Sequence, residues 1–159
     1  MRWLQVSIAL GPELRTYGDG VPVSFGSHDV QNLYAEATIT ATAGKSDTLV
    51  VTVKNFEQPG FSGRSVYEEL TFDLSWRHRL NDHWTVGAGG RAYNTDFLYP
   101  VRRNDWVLSA NGLLNFALTR KFSVEASYVF EDGETQDPGA SGREYQRHLL
   151  ALGLKYALR

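Results

Sequence analysis

The segment Trp106-Val107-Leu108-Ser109-Ala110-Asn111-Gly112-Leu113-Leu114-Asn115-Phe116-Ala117-Leu118-Thr119-Arg120-Lys121-Phe122-Ser123-Val124-Glu125-Ala126-Ser127-Tyr128-Val129-Phe130 decides the fold. Its apolar residues recur every second position. Trp106, Leu108, Ala110, Gly112, Leu114, Phe116 and Leu118 stand against Ser109, Asn111, Asn115 and Thr119. After Arg120-Lys121 the alternation resumes, with Phe122, Val124, Ala126, Tyr128 and Phe130 against Ser123, Glu125 and Ser127. Successive side chains of a strand point to opposite faces, so a period of two is the signature of a two-faced strand. Two such runs around a tight turn form a hairpin.

The same period extends outward in both directions and predicts about eight strands. They cover residues 2–17, 30–42, 48–56, 65–80, 84–97, 105–119, 122–131 and 144–158. Three connections are short, at 43–46, 81–83 and 120–121. Four are longer and rich in Gly, Pro and polar residues, at 18–29, 57–64, 98–104 and 132–143. Long and short connections alternate strictly. In an up-and-down sheet this collects every long loop at one end and every tight turn at the other, as in an outer-membrane barrel.

The contents of the faces point the same way. One face carries large aliphatic and aromatic residues with almost no charge over about ten positions per strand, the length of a tilted membrane-spanning strand. The other carries Glu13, Arg15, Glu36, Lys54, Glu69, Asp73, Arg77, Arg91, Glu125, Arg147 and Lys155 among many Ser, Thr and Asn. Aromatic residues gather at the ends of the apolar stretches. Trp3, Trp76, Trp84, Phe116, Phe122 and Tyr156 fall toward the short-turn end, and Trp106 and Phe130 toward the other. Two such belts around an aliphatic band are what bilayer interfaces select. The expectation is therefore a single all-β domain over residues 1–159, a closed antiparallel up-and-down transmembrane barrel. Its neighbours would be lipid or detergent and the outer-membrane assembly machinery, and it would be a monomer. The competing architecture is a soluble lipocalin-like barrel carrying an apolar ligand, with the aliphatic face turned inward.

Composition narrows the function classes. The chain has 159 residues, 42% hydrophobic and 21% charged, a net charge of −2 and no cysteine. It is too short for two ordinary domains and too apolar for a disordered tail. A near-neutral charge does not suit a nucleic-acid-binding surface. No apolar run is long enough for a spanning helix. No basic segment and apolar stretch precede the first strand, so the chain reads as a form from which the signal peptide is absent.

Near the C-terminus, Gly153, Tyr156 and Leu158 resemble the assembly signal of bacterial outer-membrane barrels, with Leu158 and Arg159 in place of a terminal aromatic. From Arg103-Asn104-Asp105, through Asn115-Phe116-Ala117-Leu118-Thr119 and Glu125-Ala126-Ser127-Tyr128-Val129-Phe130, to Glu144-Tyr145-Gln146-Arg147-His148 and Gly153-Leu154-Lys155-Tyr156, the chain resembles the C-terminal part of β-barrel porin families. That resemblance spans about a third of the chain. It implies an outer-membrane location in a Gram-negative-type envelope and names no substrate. Those families are usually larger, so the chain is either a small closed barrel or a shortened version of a bigger one.

No catalytic constellation stands out. Ser27-His28-Asp29 holds the residue types of a hydrolytic triad, but adjacent residues on an extended segment cannot form the relay. His148 could meet Ser127, Glu131 or Asp132 at the rim, but His148 is in phase with the apolar face and Ser127 with the polar one. Histidines 28, 78, 83 and 148 lack metal-ligand spacing. Gly87-Ala88-Gly89-Gly90-Arg91-Ala92 imitates a dinucleotide motif without the helix it needs. A steric role for Gly87 and Gly89, making room for Arg91 or Tyr93, is expected instead. The expectation is thus no enzyme, no cofactor and no metal. The eleven polar-face charges would form a paired network filling the lumen, with a structural, anchoring or loop-display role. The alternative is a small channel for solutes or ions.

Overall fold

A computed structural model of the chain describes residues 3–16, 29–59, 66–99, 103–136 and 144–157. They form eight strands: β1 (Leu4–Thr16), β2 (Asp29–Ala43), β3 (Asp47–Pro59), β4 (Val66–Arg79), β5 (Trp84–Tyr99), β6 (Arg103–Ala117), β7 (Phe122–Thr135) and β8 (Tyr145–Tyr156). The sheet order follows the chain order, and each neighbouring pair is antiparallel. Every connection therefore joins adjacent strands, and the four longer ones share one end.

The tight turns are built from local chemistry. Gly44 takes φ 63°, a left-handed conformation that glycine adopts without strain. The Asn81 side-chain oxygen accepts from the amides of His83 and Trp84, both at 2.9 Å. Thr119 Oγ1 does the same for Lys121 and Phe122 at 3.2 and 3.1 Å. These side chains supply the acceptors that a two-strand reversal leaves short.

The register keeps the two faces separate from edge to edge. One row of the apolar face reads Val6, Ile39, Val51, Leu74, Gly90, Ala110, Phe130 and His148. One row of the polar face reads Thr52, Asp73, Arg91, Ser109, Glu131 and Arg147. A one-residue slip anywhere would exchange the faces, so the apolar pattern fixes the register.

The faces also differ in exposure. On the polar face Thr71, Thr95 and Val107 are nearly covered. The apolar face is open: Leu74 is 49% exposed and Leu152 is 78% exposed. Among the described residues Val107 is the only buried hydrophobic side chain. A sheet that turns this much apolar surface outward, with no apolar core, has the inverse of a water-soluble barrel. This runs against the lipocalin-like alternative, whose apolar face would be inside.

Three features differ from the sequence reading. First, closure is absent: among the described residues β1 pairs with β2 and β8 with β7, and the two edges do not meet. An eight-stranded barrel has an interior only wide enough for closely packed side chains. The polar face carries Tyr34, Phe56, Arg91, Tyr93, Tyr145 and Arg147, bulk that so narrow an interior would have to hold. Second, β3 and β7 run on to Pro59 and Thr135, through positions expected to be loop. Third, the sheet forks at the long-loop end. The β2–β3 ladder stops at Ala35 and Asn55, while β1–β2 continues to Thr16–Asp29 and β3–β4 to Pro59–Val66. Across the fork the Glu57 amide donates to the Glu13 carboxylate at 3.3 Å.

Candidate functional site

The polar face of β4 to β8 positions the charges. Because cross-strand neighbours on one face are close enough to touch, opposite charges in register pair laterally. Arg91 Nε donates to Asp73 Oδ1 at 2.7 Å, joining β5 to β4. Arg147 Nη2 donates to Glu131 Oε2 at 2.9 Å, joining β8 to β7. Ser109 separates the two pairs, so the row alternates acid, base, hydroxyl, acid, base. Closer to the tight turns Lys155 donates to Glu125, again between β8 and β7. Arg91, Arg147 and Lys155 remain more than half exposed. Exposed pairs of this kind contribute about 0–1 kcal/mol each. They fix where charge sits more than they hold the sheet together.

The other expected polar-face charges take separate partners. Glu36 accepts the Tyr34 hydroxyl. Lys54, in register with Glu36, places its ammonium 5.6 Å from the Tyr34 ring centre and 4.3 Å from that of Phe56. Such aromatic faces attract a cation. Glu69 accepts from Thr71 Oγ1 at 2.8 Å. Arg77 lies in register with Thr48 and Gly87. Glu13 bridges the fork, and the Arg15 side chain lies outside the described residues. Thus, among the described residues, the expected charges share one face and pair locally.

Sequence reasoning left out a second cluster nearer the long-loop end. Glu131, Arg103 and Asp105 belong to the polar face, as do Tyr93 and Tyr145. Arg103 Nε lies 2.7 Å from Asp105 Oδ2, and its guanidinium lies 4.3 Å from the centre of the Phe97 ring. Thr135 Oγ1 donates to Asp105 Oδ1 at 2.7 Å. The Tyr145 hydroxyl donates to Glu131. Tyr93, Phe97, Arg103, Asp105 and Tyr145 border a cavity of about 140 Å³. The signal was available, since odd-numbered positions of β6 and β7 continue the phase of Ser109 and Glu125 beyond the apolar stretch.

The glycines are steric, as expected, but they accommodate other neighbours than Arg91 and Tyr93. A Cβ on Gly89 would stand 2.6 Å from the Leu74 carbonyl oxygen and 3.0 Å from Asn111 Oδ1. One on Gly87 would stand 3.2 Å from the Trp76 carbonyl oxygen.

Seven of the eight expected belt residues occupy the apolar face near its margins, while Trp3 precedes β1 in phase with the polar face. At the tight-turn end Trp84 packs on Phe116 at 4.5 Å between ring centres, and Phe122 is in register with Tyr156. The Thr42 amide donates to the Trp3 carbonyl at 2.8 Å. Trp76 stacks on His78 and donates its indole N–H to Asp47 at 3.2 Å. At the other margin Trp106 is in register with Asn94 and Glu134, and Asp132 follows Phe130 on the same face. An apolar ring with a polar neighbour suits the boundary between hydrocarbon and water. Gly153 and Tyr156, expected to belong to an assembly signal, lie on β8, and Leu158 lies outside the described residues.

Among the described residues His148 has an aromatic surrounding. Its Nδ1 lies 2.7 Å from the Tyr128 hydroxyl, and its ring lies 5.1 Å from that of Phe130. Ser127 is in register with Ala151 on the opposite face. Ser27 and His28 lie outside the described residues. Among the described residues no group of three His, Asp or Glu side chains could hold a metal ion.

A protein-family model described as putative beta-barrel porin 2 matches residues 28–158. No curated protein and no solved structure matches the chain.

Proposed function

The chain belongs to the putative beta-barrel porin 2 family, and from that premise we propose that its sheet is the wall of a porin-type channel in the outer membrane, passing small polar solutes and ions. The apolar face meets lipid and the polar face meets water. The edges of β1 and β8 are completed by antiparallel strands, because a bilayer offers no water to unpaired backbone groups.

One observation carries the choice of a channel over a filled lumen. Three ion pairs of the polar face run sideways between neighbouring strands, Asp73 to Arg91, Glu131 to Arg147 and Glu125 to Lys155. A plugged interior needs pairs that cross it, since charges removed from water must be matched. Lateral pairs match these charges without a partner across the interior and line the wall with fixed charge of both signs. An anchoring or display role draws no support from this arrangement.

Planar-bilayer recording of the refolded chain tests the proposal. Steady conductance is expected. Arg91→Gln leaves Asp73 unmatched and shifts the reversal potential toward cation selectivity, and Asp73→Asn shifts it toward anions. A chain that inserts, shown by a heat-modifiable gel shift, yet carries no current overturns the channel.

A further inference from the structure

The cavity bordered by β5 to β8 has a lining unlike the rest of the wall. Tyr93 and Tyr145 border it with Phe97, and a Cβ on Gly133 would stand 2.5 Å from the Tyr145 ring. The Tyr145 ring therefore occupies space that a side chain at position 133 would need. Its hydroxyl is tied to Glu131, which also holds Arg147. Arg103 is fixed on two sides, by the Phe97 ring and by Asp105, and Asp105 is held in turn by Thr135. Aromatic surface and hydrogen-bonding groups are thus positioned before any ligand arrives, which lowers the ordering cost of binding.

The charge pattern selects the ligand. Asp105 neutralises Arg103 and Glu131 neutralises Arg147. With both guanidiniums already matched by carboxylates, neither a free cation nor a free anion finds an unmatched partner here. Arg103 already covers Phe97 as its cation, which repels a second one. A hydroxyl needs neither pair broken: a carboxylate has lone pairs to spare, and a guanidinium has five donors. Flat rings suit the C–H faces of a sugar, and the volume suits a single ring of that kind.

We propose that this cavity is a binding subsite for a neutral saccharide at the long-loop mouth of the channel. The assignment rests on the channel reading for its role in transport, but the binding itself can be measured separately.

The test is calorimetric titration of the refolded full chain in detergent with maltohexaose, choline chloride and sodium benzoate, paired with bilayer recording. Saturable heat with maltohexaose alone is expected. Tyr93→Leu should weaken it about tenfold while steady conductance persists, since one ring contact is lost. Tyr145→Ala should weaken it likewise, and a heat-modifiable gel shift identifies variants that fold. A conducting chain that gives no heat with maltohexaose overturns the saccharide site and leaves the channel intact. Heat with choline or benzoate, or maltohexaose heat unaffected in both folded variants, also overturns it. Maltohexaose binding lost in the variants, in a chain without conductance, supports the subsite and overturns the channel.

Discussion

Leu74→Arg weakens insertion of the sheet into phospholipid vesicles by about 2–4 kcal/mol, a fall of roughly 30- to 1,000-fold in the folding equilibrium. Leu74 sits in the row that joins Val6, Ile39, Val51, Gly90, Ala110, Phe130 and His148, and it is half exposed on the apolar face. If that face meets hydrocarbon, a guanidinium there must either stay in lipid or drag water and headgroups inward. Ser127→Arg, on the polar face in register with Leu113 and Ala151, should be tolerated. Urea titration in the presence of vesicles, followed by tryptophan fluorescence, compares the two. Equal midpoints for Leu74→Arg and the parent would place Leu74 outside the lipid.

Gly89→Ala lowers stability by about 1–3 kcal/mol. The new methyl would approach the Leu74 carbonyl oxygen to 2.6 Å, and that oxygen belongs to the neighbouring backbone. Asn111, in register across β6, closes the other side at 3.0 Å. Relief requires the β4–β5 ladder to move, whereas a clash with a flexible side chain could relax by rotation. Gly112→Ala is the matched control, because a Cβ there meets nothing within 4 Å. The urea midpoint should fall for the first substitution and hold for the second. Matching midpoints would mean that β4 and β5 are not so closely paired at this position.

Strand count, chain-order topology and face assignment could all be read from the sequence, because a period of two is a direct consequence of strand geometry. Leu70, Phe72, Leu74 and Trp76 needed only their spacing to be assigned to one face. Strand ends were harder. Beyond the apolar band both faces of β3 and β7 are mostly polar, so Glu57–Pro59 and Asp132–Thr135 carry little alternation and read as loop. The cluster around Arg103, Asp105 and Tyr145 lies past the same boundary, where only the continued strand phase, and no apolar run, marks the polar face. Pairing was harder still. That Arg91 meets Asp73 depends on a register fixed by the turn at 80–83, and composition is silent on it. Closure is a property of curvature, which depends on the bulk of inner side chains such as Tyr93 and Tyr145 and not on alternation.

One consequence of the register concerns orientation. On β1 the series Leu4 to Leu10 centres one residue past Val6, toward the long loops, while on β8 the series Leu150 to Tyr156 centres five residues short of His148, toward the tight turns. Val6 and His148 share a row, so the greasy zone slides by six residues across the sheet, roughly 20 Å along strands while crossing roughly 34 Å between them. Levelled against a planar slab, such a diagonal obliges the strands to lean about 30° from the perpendicular, near the slant that transmembrane cylinders adopt. The lateral offset of leucines along the chain thus already encodes the pitch at which the sheet would stand.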